Sequence, residues 1–224
     1  MAKDPRRRQK ALARKAAKRK ARARKHQRRS APRAGLPAPE SIAAAPVQEC
    51  LVPEDLFGLG IGTVVVSRRL PNGDIALGMF LVDTQCLGVK NAIFKVVTPH
   101  EYRETMAKVT EKQSLRTEEP AAVKKLVEGA VAWARDLGIE PHPDYRKARR
   151  VLAGIDAGAC PVEYTYGYGG KPFYRPGPYE PPGRQKKILH LLERRCGPDG
   201  YHFVIPLQGE HDDPDEWLEP DEEP

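Results

Sequence analysis

The 224-residue chain predicts an α+β fold, with a mostly antiparallel sheet and about three to four helices, flanked by disordered tails. Three observations carry that prediction. Two apolar, β-branched runs, 63–70 and 75–83, meet at Pro71-Asn72-Gly73-Asp74, and Asn-Gly between such runs is the strongest short-range hairpin signal. Apolar residues at helical spacing then fill 120–137. Strand-like sequence returns only after the helices, so the two kinds of element are segregated rather than strictly alternating.

The elements follow in order. Gly58, Gly60 and Gly62 precede the first strand, whereas a phosphate-cradling loop needs its glycines after a strand and before a helix. They are therefore expected to be a flexible lead-in. The Asn72-Gly73 turn is expected to place both central residues at positive φ, as a two-residue hairpin loop requires. AIFKVV (92–97) reads as a short third strand, and His100 to Val109 as a helix. The best helix runs from Pro120, suited to a first turn, through Val123, Leu126, Val127, Ala130 and Ala134 to Leu137, and Gly138 ends it. A further helix is expected from Pro143 to Ala153, closed by Gly154. VEYTYG (162–167) and KPFY (171–174) read as a hairpin turning at Gly169-Gly170. Residues 184–196 form an amphipathic helix with Ile188, Leu191 and Leu192 inward, and 201–207 a final strand.

Charge divides the chain further. Residues 1–33 hold sixteen Lys and Arg against one acid, Asp4. Residues 210–224 hold nine acids and no Lys or Arg. The expected organisation is a basic disordered arm (1–33), a Pro/Ala-rich linker (34–57), a single α+β domain (58–208) and an acidic disordered tail (209–224). The arm's cations suit binding of RNA or DNA by counterion release, without reading sequence. The competing reading is a solubilising tail. No Trp, Phe or Leu face accompanies the charges, which argues against a membrane-surface helix. No window of the chain is apolar enough to span a bilayer, and no apolar stretch follows the N-terminal charges as in a signal peptide, so a cytoplasmic location is expected. Four widely spaced cysteines without a C-x-x-C pair argue against a disulfide framework or a zinc ribbon, and neither metal nor cofactor is expected.

LVDTQCLGVKN (81–91) and GKPFYRPGPYE (170–180) resemble motifs of a bacterial protein family that also tends to carry a Lys/Arg-rich N-terminal arm. The resemblance covers roughly 60–207. It implies a bacterial cytoplasmic origin and carries no catalytic residues with it.

Three constellations offer chemistry. Asp83, Cys86, Lys90 and Asn91 cluster at the end of the most apolar strand. Lys90 beside Cys86 favours a thiolate nucleophile, with Asp83 to orient a base; the alternative is a buried Cys86, a turn-capping Asp83 and a solvated Lys90. His142 and Asp144 open a helix, either as structural caps or as an imidazole and carboxylate offered to a ligand. The third constellation is aromatic: Tyr164, Tyr166, Tyr168, Phe173, Tyr174 and Tyr179, interleaved with Lys171, Arg175 and Arg184. Rings beside cations suit single-stranded nucleic acid; the alternative is that alternate tyrosines pack on the helices.

The leading expectation is thus a nucleic-acid-binding protein that meets phosphates through Arg6, Arg7, Arg8, Lys18, Arg19 and Lys20, with Lys171, Tyr174 and Arg175 as a second surface. The rivals are a hydrolase or nuclease-like enzyme sited near Asp83 and Cys86, and a protein-interaction module using the acidic tail.

Overall fold

The structure, a computed structural model, describes residues 37–178 and 180–204. The expected disorder of both charged tails, the six arm cations singled out above and Tyr179 lie outside the described residues.

The fold is α+β. Its centre is a five-stranded antiparallel sheet in the order β4-β3-β2-β1-β5. The strands are β1 (Val47–Pro53), β2 (Ile61–Arg69), β3 (Ile75–Asp83), β4 (Gly88–Val97) and β5 (Leu115–Thr117). The β2–β3 hairpin is present, with Val66 opposite Gly78 and Val64 opposite Phe80. Its turn differs from the expected one. Gly73 N–H donates to Leu70 O at 2.9 Å, Leu70 N–H donates to Asp74 O at 2.9 Å, and only Gly73 has positive φ (83°). This is a three-residue loop, a type I turn closed by a left-handed glycine. Pro71 fits the first central position of such a turn, and Asn72 then needs no positive φ. The Asn72 side chain instead accepts from Asp74 N–H at 3.1 Å.

Both faces of the sheet are covered, which is why β2 and β3 are apolar almost throughout instead of alternating. On one face Val64, Val66, Phe80, Val82 and Val89 pack against Val123, Leu126, Val127 and Ala130 of helix α4 (Pro120–Asp136). On the other, Val65, Ile75, Leu77 and Val97 pack with Tyr102 and Met106 of α3 (Pro99–Thr110). Each fully buried large side chain contributes about 1.5–3 kcal/mol. Helix α3 begins at a capping box: Glu101 N–H donates to Thr98 Oγ1, and Thr98 N–H donates to the Glu101 carboxylate at 2.9 Å.

The expected linker 34–57 is corrected in part: from residue 39 it belongs to the fold. It contains helix α1 (Pro39–Ala44), strand β1 and the first residues of the short helix α2 (Leu56–Leu59). Three prolines suppress a long helix there but not a one-turn helix starting at Pro39. The glycine run is not a flexible lead-in either. Gly58 lies inside α2, Gly60 caps it and Gly62 is in β2.

Arg68 joins this segment to the rest. It lies in β2 yet is buried, and its guanidinium donates to the carbonyls of Val151 (2.7 Å), Ala43 (2.9 Å), Ala45 (2.6 Å) and Ala153. Burial lowers its pKa. Five donors in a rigid fork are what four convergent carbonyls require, and no other side chain supplies them.

Beyond α4 the helix expected at 143–153 is a single α-turn, α5 (Tyr145–Ala148), continued as a 3-10 turn over Arg149–Leu152. The hairpin expected between 162–167 and 171–174 is absent. Residues 162–166 have no regular secondary structure, Gly167 is a bend at φ 84°, and only Tyr168 and Lys171 form an antiparallel bridge, across Gly169-Gly170. The strand β6 (Phe173–Tyr174) pairs instead, in parallel, with β7 (His202–Phe203), after the amphipathic helix α6 (Pro182–Cys196). Gly167 N–H and Phe173 N–H are taken by Thr84 O and Gln85 O, so tertiary bonds replace the local hairpin.

Candidate nucleic-acid interface

The two motifs quoted above, 81–91 and 170–180, meet at one end of the sheet. The β3–β4 turn (Thr84 to Leu87) receives the backbone bonds from Gly167 and Phe173. Asp83 Oδ1 accepts from Gln85 N–H at 3.0 Å and Cys86 N–H at 2.8 Å, which shapes the turn. Gly88 follows at φ 62°, its α-carbon against Ala130 O of α4; an added Cβ would stand 2.6 Å from that oxygen. A bulge comes next. Leu81 faces Asn91 but Val82 faces Val89, so Lys90 is the extra residue and is turned out of the ladder. Its ammonium stands 3.7 Å from the Glu180 carboxylate, which also meets Arg184 Nε at 3.0 Å and accepts from Gly177 N–H at 3.1 Å. Lys90 is therefore a nearly buried tether between the motifs rather than a solvated lysine.

This packing closes the reactive corner. Cys86 is fully buried beside Tyr174, Ile188 and Leu192. Burial first, then the neighbouring Asp83 carboxylate, push its thiol pKa well up, and the opposing pull of Lys90 is too weak to reverse that. The expectation of a Lys90-activated thiolate is corrected accordingly. Asp83 is buried too, and desolvation raises its pKa despite the backbone N–H groups of Cys86, Gln85 and Leu87 and the charge of Lys90.

His142 and Asp144 do not join this corner. His142 Nδ1 accepts from Asp144 N–H at 3.2 Å, and the Asp144 carboxylate pairs with Lys147 at 3.1 Å. Asp144 is the N-cap residue of α5 but its side chain makes no capping bond, and the His142 side chain bonds only within the preceding turn. Among the described residues no group of three or more His, Cys, Asp or Glu is placed to hold a metal, all four cysteines are free, and no helix is long and apolar enough to cross a membrane.

The aromatic segment sorts into inward and outward rings. Tyr174 is fully buried, so its role at an exposed surface is corrected: its place in β6, with Ile188 and Leu192 of α6 against it, turns it into the core. Tyr166 reaches α4 and donates to Leu126 O at 2.8 Å. Tyr164 stacks on Phe57 with centroids 5.6 Å apart. Tyr168, by contrast, is 61% exposed. It forms a cluster with Phe173 (5.7 Å) and His202 (6.2 Å), and Phe173 and His202 are 6.3 Å apart and nearly perpendicular.

Two exposed cations flank these rings. Arg175 lies over the Phe173 ring, 5.4 Å from its centroid, and donates to Leu59 O. Lys171 donates to Asp199 O at 2.9 Å. Each is anchored on a backbone carbonyl, and neither pairs with a carboxylate among the described residues. Their positive charge is fixed in place and meets no carboxylate among the described residues. Sequence reasoning named both cations but missed His202, which the parallel β6–β7 pairing alone brings beside Phe173.

Compared with known protein families, curated proteins and solved structures, the chain matches none of them.

Proposed function

We propose that the protein binds single-stranded nucleic acid, with bases stacking on Tyr168, Phe173 and His202 and phosphates meeting Lys171 and Arg175. The observation that supports this most is the three-ring cluster held between two cations that have no carboxylate partner among the described residues. Every base has a π-face, so such a patch is tolerant of sequence, and each stack contributes ~1–3 kcal/mol. The basic segment 1–33 adds affinity through counterion release, with Arg6, Arg7, Arg8, Lys18, Arg19 and Lys20 among its phosphate contacts. In this reading the patch prefers unpaired bases, and the arm binds any polyanion.

Fluorescence anisotropy with a labelled oligothymidine and a duplex, over a salt series, separates the two contributions. Phe173→Ala weakens single-strand binding by roughly tenfold, one lost stack, and leaves duplex binding nearly unchanged. Replacing the six arm cations by Gln flattens the salt dependence for both ligands. Equal affinity of Phe173→Ala and the parent for the single strand removes the patch from the reading. An unchanged salt slope removes the arm.

A further inference from the structure

The second face of the sheet carries a groove of about 400 Å3 that the nucleic-acid reading does not use. Its floor is apolar, built by Met79, Leu81 and Ile93 of β3 and β4 and by Val109 of α3. Ile93 is one of the few large apolar side chains left exposed. Lys95, Lys108 and Lys112 stand along it, and no acidic residue lines it. None of the three lysines pairs with a carboxylate among the described residues. One end is built rigidly: Thr63 N–H donates to Gln113 Oε1 at 2.9 Å, and Gln113 Nε2 donates back to Thr63 O at 2.7 Å. The groove thus asks for a ligand with apolar bulk and several negative charges.

We infer that this groove binds the chain's own acidic C-terminal segment, 209–224, with Trp217 and Leu218 on the apolar floor and the flanking carboxylates on Lys95, Lys108 and Lys112. Three observations carry the inference. The segment holds nine acids and no Lys or Arg, opposite in sign to the groove. Trp217-Leu218 is its only large apolar pair, with acids on both sides. The tether also reaches. The last described residue, Val204, donates to Tyr174 O, and its neighbour Phe173 bonds to Gln85 O, in the turn that ends the strand carrying Leu81. Trp217 is thirteen residues beyond Val204, enough for a span of about 40 Å. A linked segment acts at high effective concentration, so individually weak ion pairs suffice.

The test uses the full chain. The protein has two tryptophans, so Trp133→Phe leaves Trp217 as the sole emitter. Docking predicts blue-shifted emission and several-fold weaker acrylamide quenching than in a synthetic 209–224 peptide. Both should revert to the peptide's values in 1 M NaCl, where the Debye length falls to ~3 Å. They should also revert when Lys95, Lys108 and Lys112 are changed together to Glu, with far-UV circular dichroism as the folding control. Zero-length carbodiimide cross-linking of the unaltered chain needs no variant, and tail carboxylates should join Lys95, Lys108 or Lys112 within one molecule. Peptide-like Trp217 emission in the full chain, cross-links only to lysines of 1–33, or cross-links only between two molecules would each overturn the inference.

Discussion

The sheet and the C-terminal segment are held by different means. From 47 to 97 the chain runs through long ladders: β2 and β3 pair over nine residues each, and most of their side chains are buried on both faces. From 156 to 204 the two strands have two residues each, and the chain is fixed by a smaller core, in which Tyr174, Ile188 and Leu192 pack with Cys86, Leu87 and Leu137, by tertiary bonds to the β3–β4 turn and by the Lys90–Glu180–Arg184 group. The first region is redundant, since losing one contact leaves many. The second has a smaller core and little ladder, so its few polar ties weigh more, and it is also where rings and cations reach the surface. A rigid scaffold beside a segment with less regular structure is a common division of labour.

The sharpest way to break this comparison is to find one residue on which the redundant region does depend. Arg68 is that residue. Arg68→Met removes the donors from four carbonyls that bind α1 and the 3-10 turn to β2, and the apolar replacement offers them nothing. Orphaned buried polar groups cost about 1–3 kcal/mol each, softened by water entry, so a total loss of ~3–5 kcal/mol is expected. Urea unfolding measures it. A loss below ~1 kcal/mol would mean α1 is held by its apolar contacts, chiefly Ile42.

Arg68 also marks where reading the sequence stops. The β2–β3 hairpin and α4 were legible because their signals are local: an Asn-Gly turn between apolar runs, and a 3.6-residue period. Strand β1 was not, because VQECLVP becomes a strand only by pairing with β2 and β5. Nor was the full length of β4, since the bulge at Lys90 interrupts its pattern. At the candidate site the composition revealed rings beside cations, but not which rings face out. Period-two alternation puts Tyr164, Tyr166 and Tyr168 on one face. Backbone bonds from Gly167 to Thr84 and from Phe173 to Gln85 override it, turning Tyr166 and Tyr174 inward and leaving Tyr168 outside.

A smaller effect is expected within the hairpin itself. Gly73 has φ 83°, and an added Cβ would meet nothing within 4 Å. Any cost of Gly73→Val is therefore backbone strain alone, ~1–3 kcal/mol for a β-branched residue in the left-handed region. Gly73→Asn should cost less, because Asn tolerates that conformation. Thermal unfolding of both variants gives the order. Equal midpoints for Val and Asn would show that the long ladder absorbs a strained turn, which would extend the redundancy of the sheet to its loops.

The smallest expected effect is a slope rather than a loss, and it lies where the two regions join. Asp83 ends β3 and shapes the turn that receives Gly167 and Phe173. Burial raises its pKa above the ordinary 3.8 in spite of the bonds from Cys86 and Gln85 and the charge of Lys90. The folded state therefore holds this proton more tightly than the unfolded state does. The stabilisation from that proton is fully present below pH 3.8 and is lost as pH rises through the folded value. Asp83→Asn keeps an oxygen to accept the two backbone bonds and carries no charge to desolvate. The stability difference, variant minus parent, should rise with pH above about 4 and then level off. Denaturant unfolding across a pH series reads it directly. A difference that falls instead would mean that the attraction of Lys90 outweighs burial. The junction would then be held by an Asp83–Lys90–Glu180 charge chain, and Lys90→Met should in that case loosen β6 and α6 while leaving the five-stranded sheet intact.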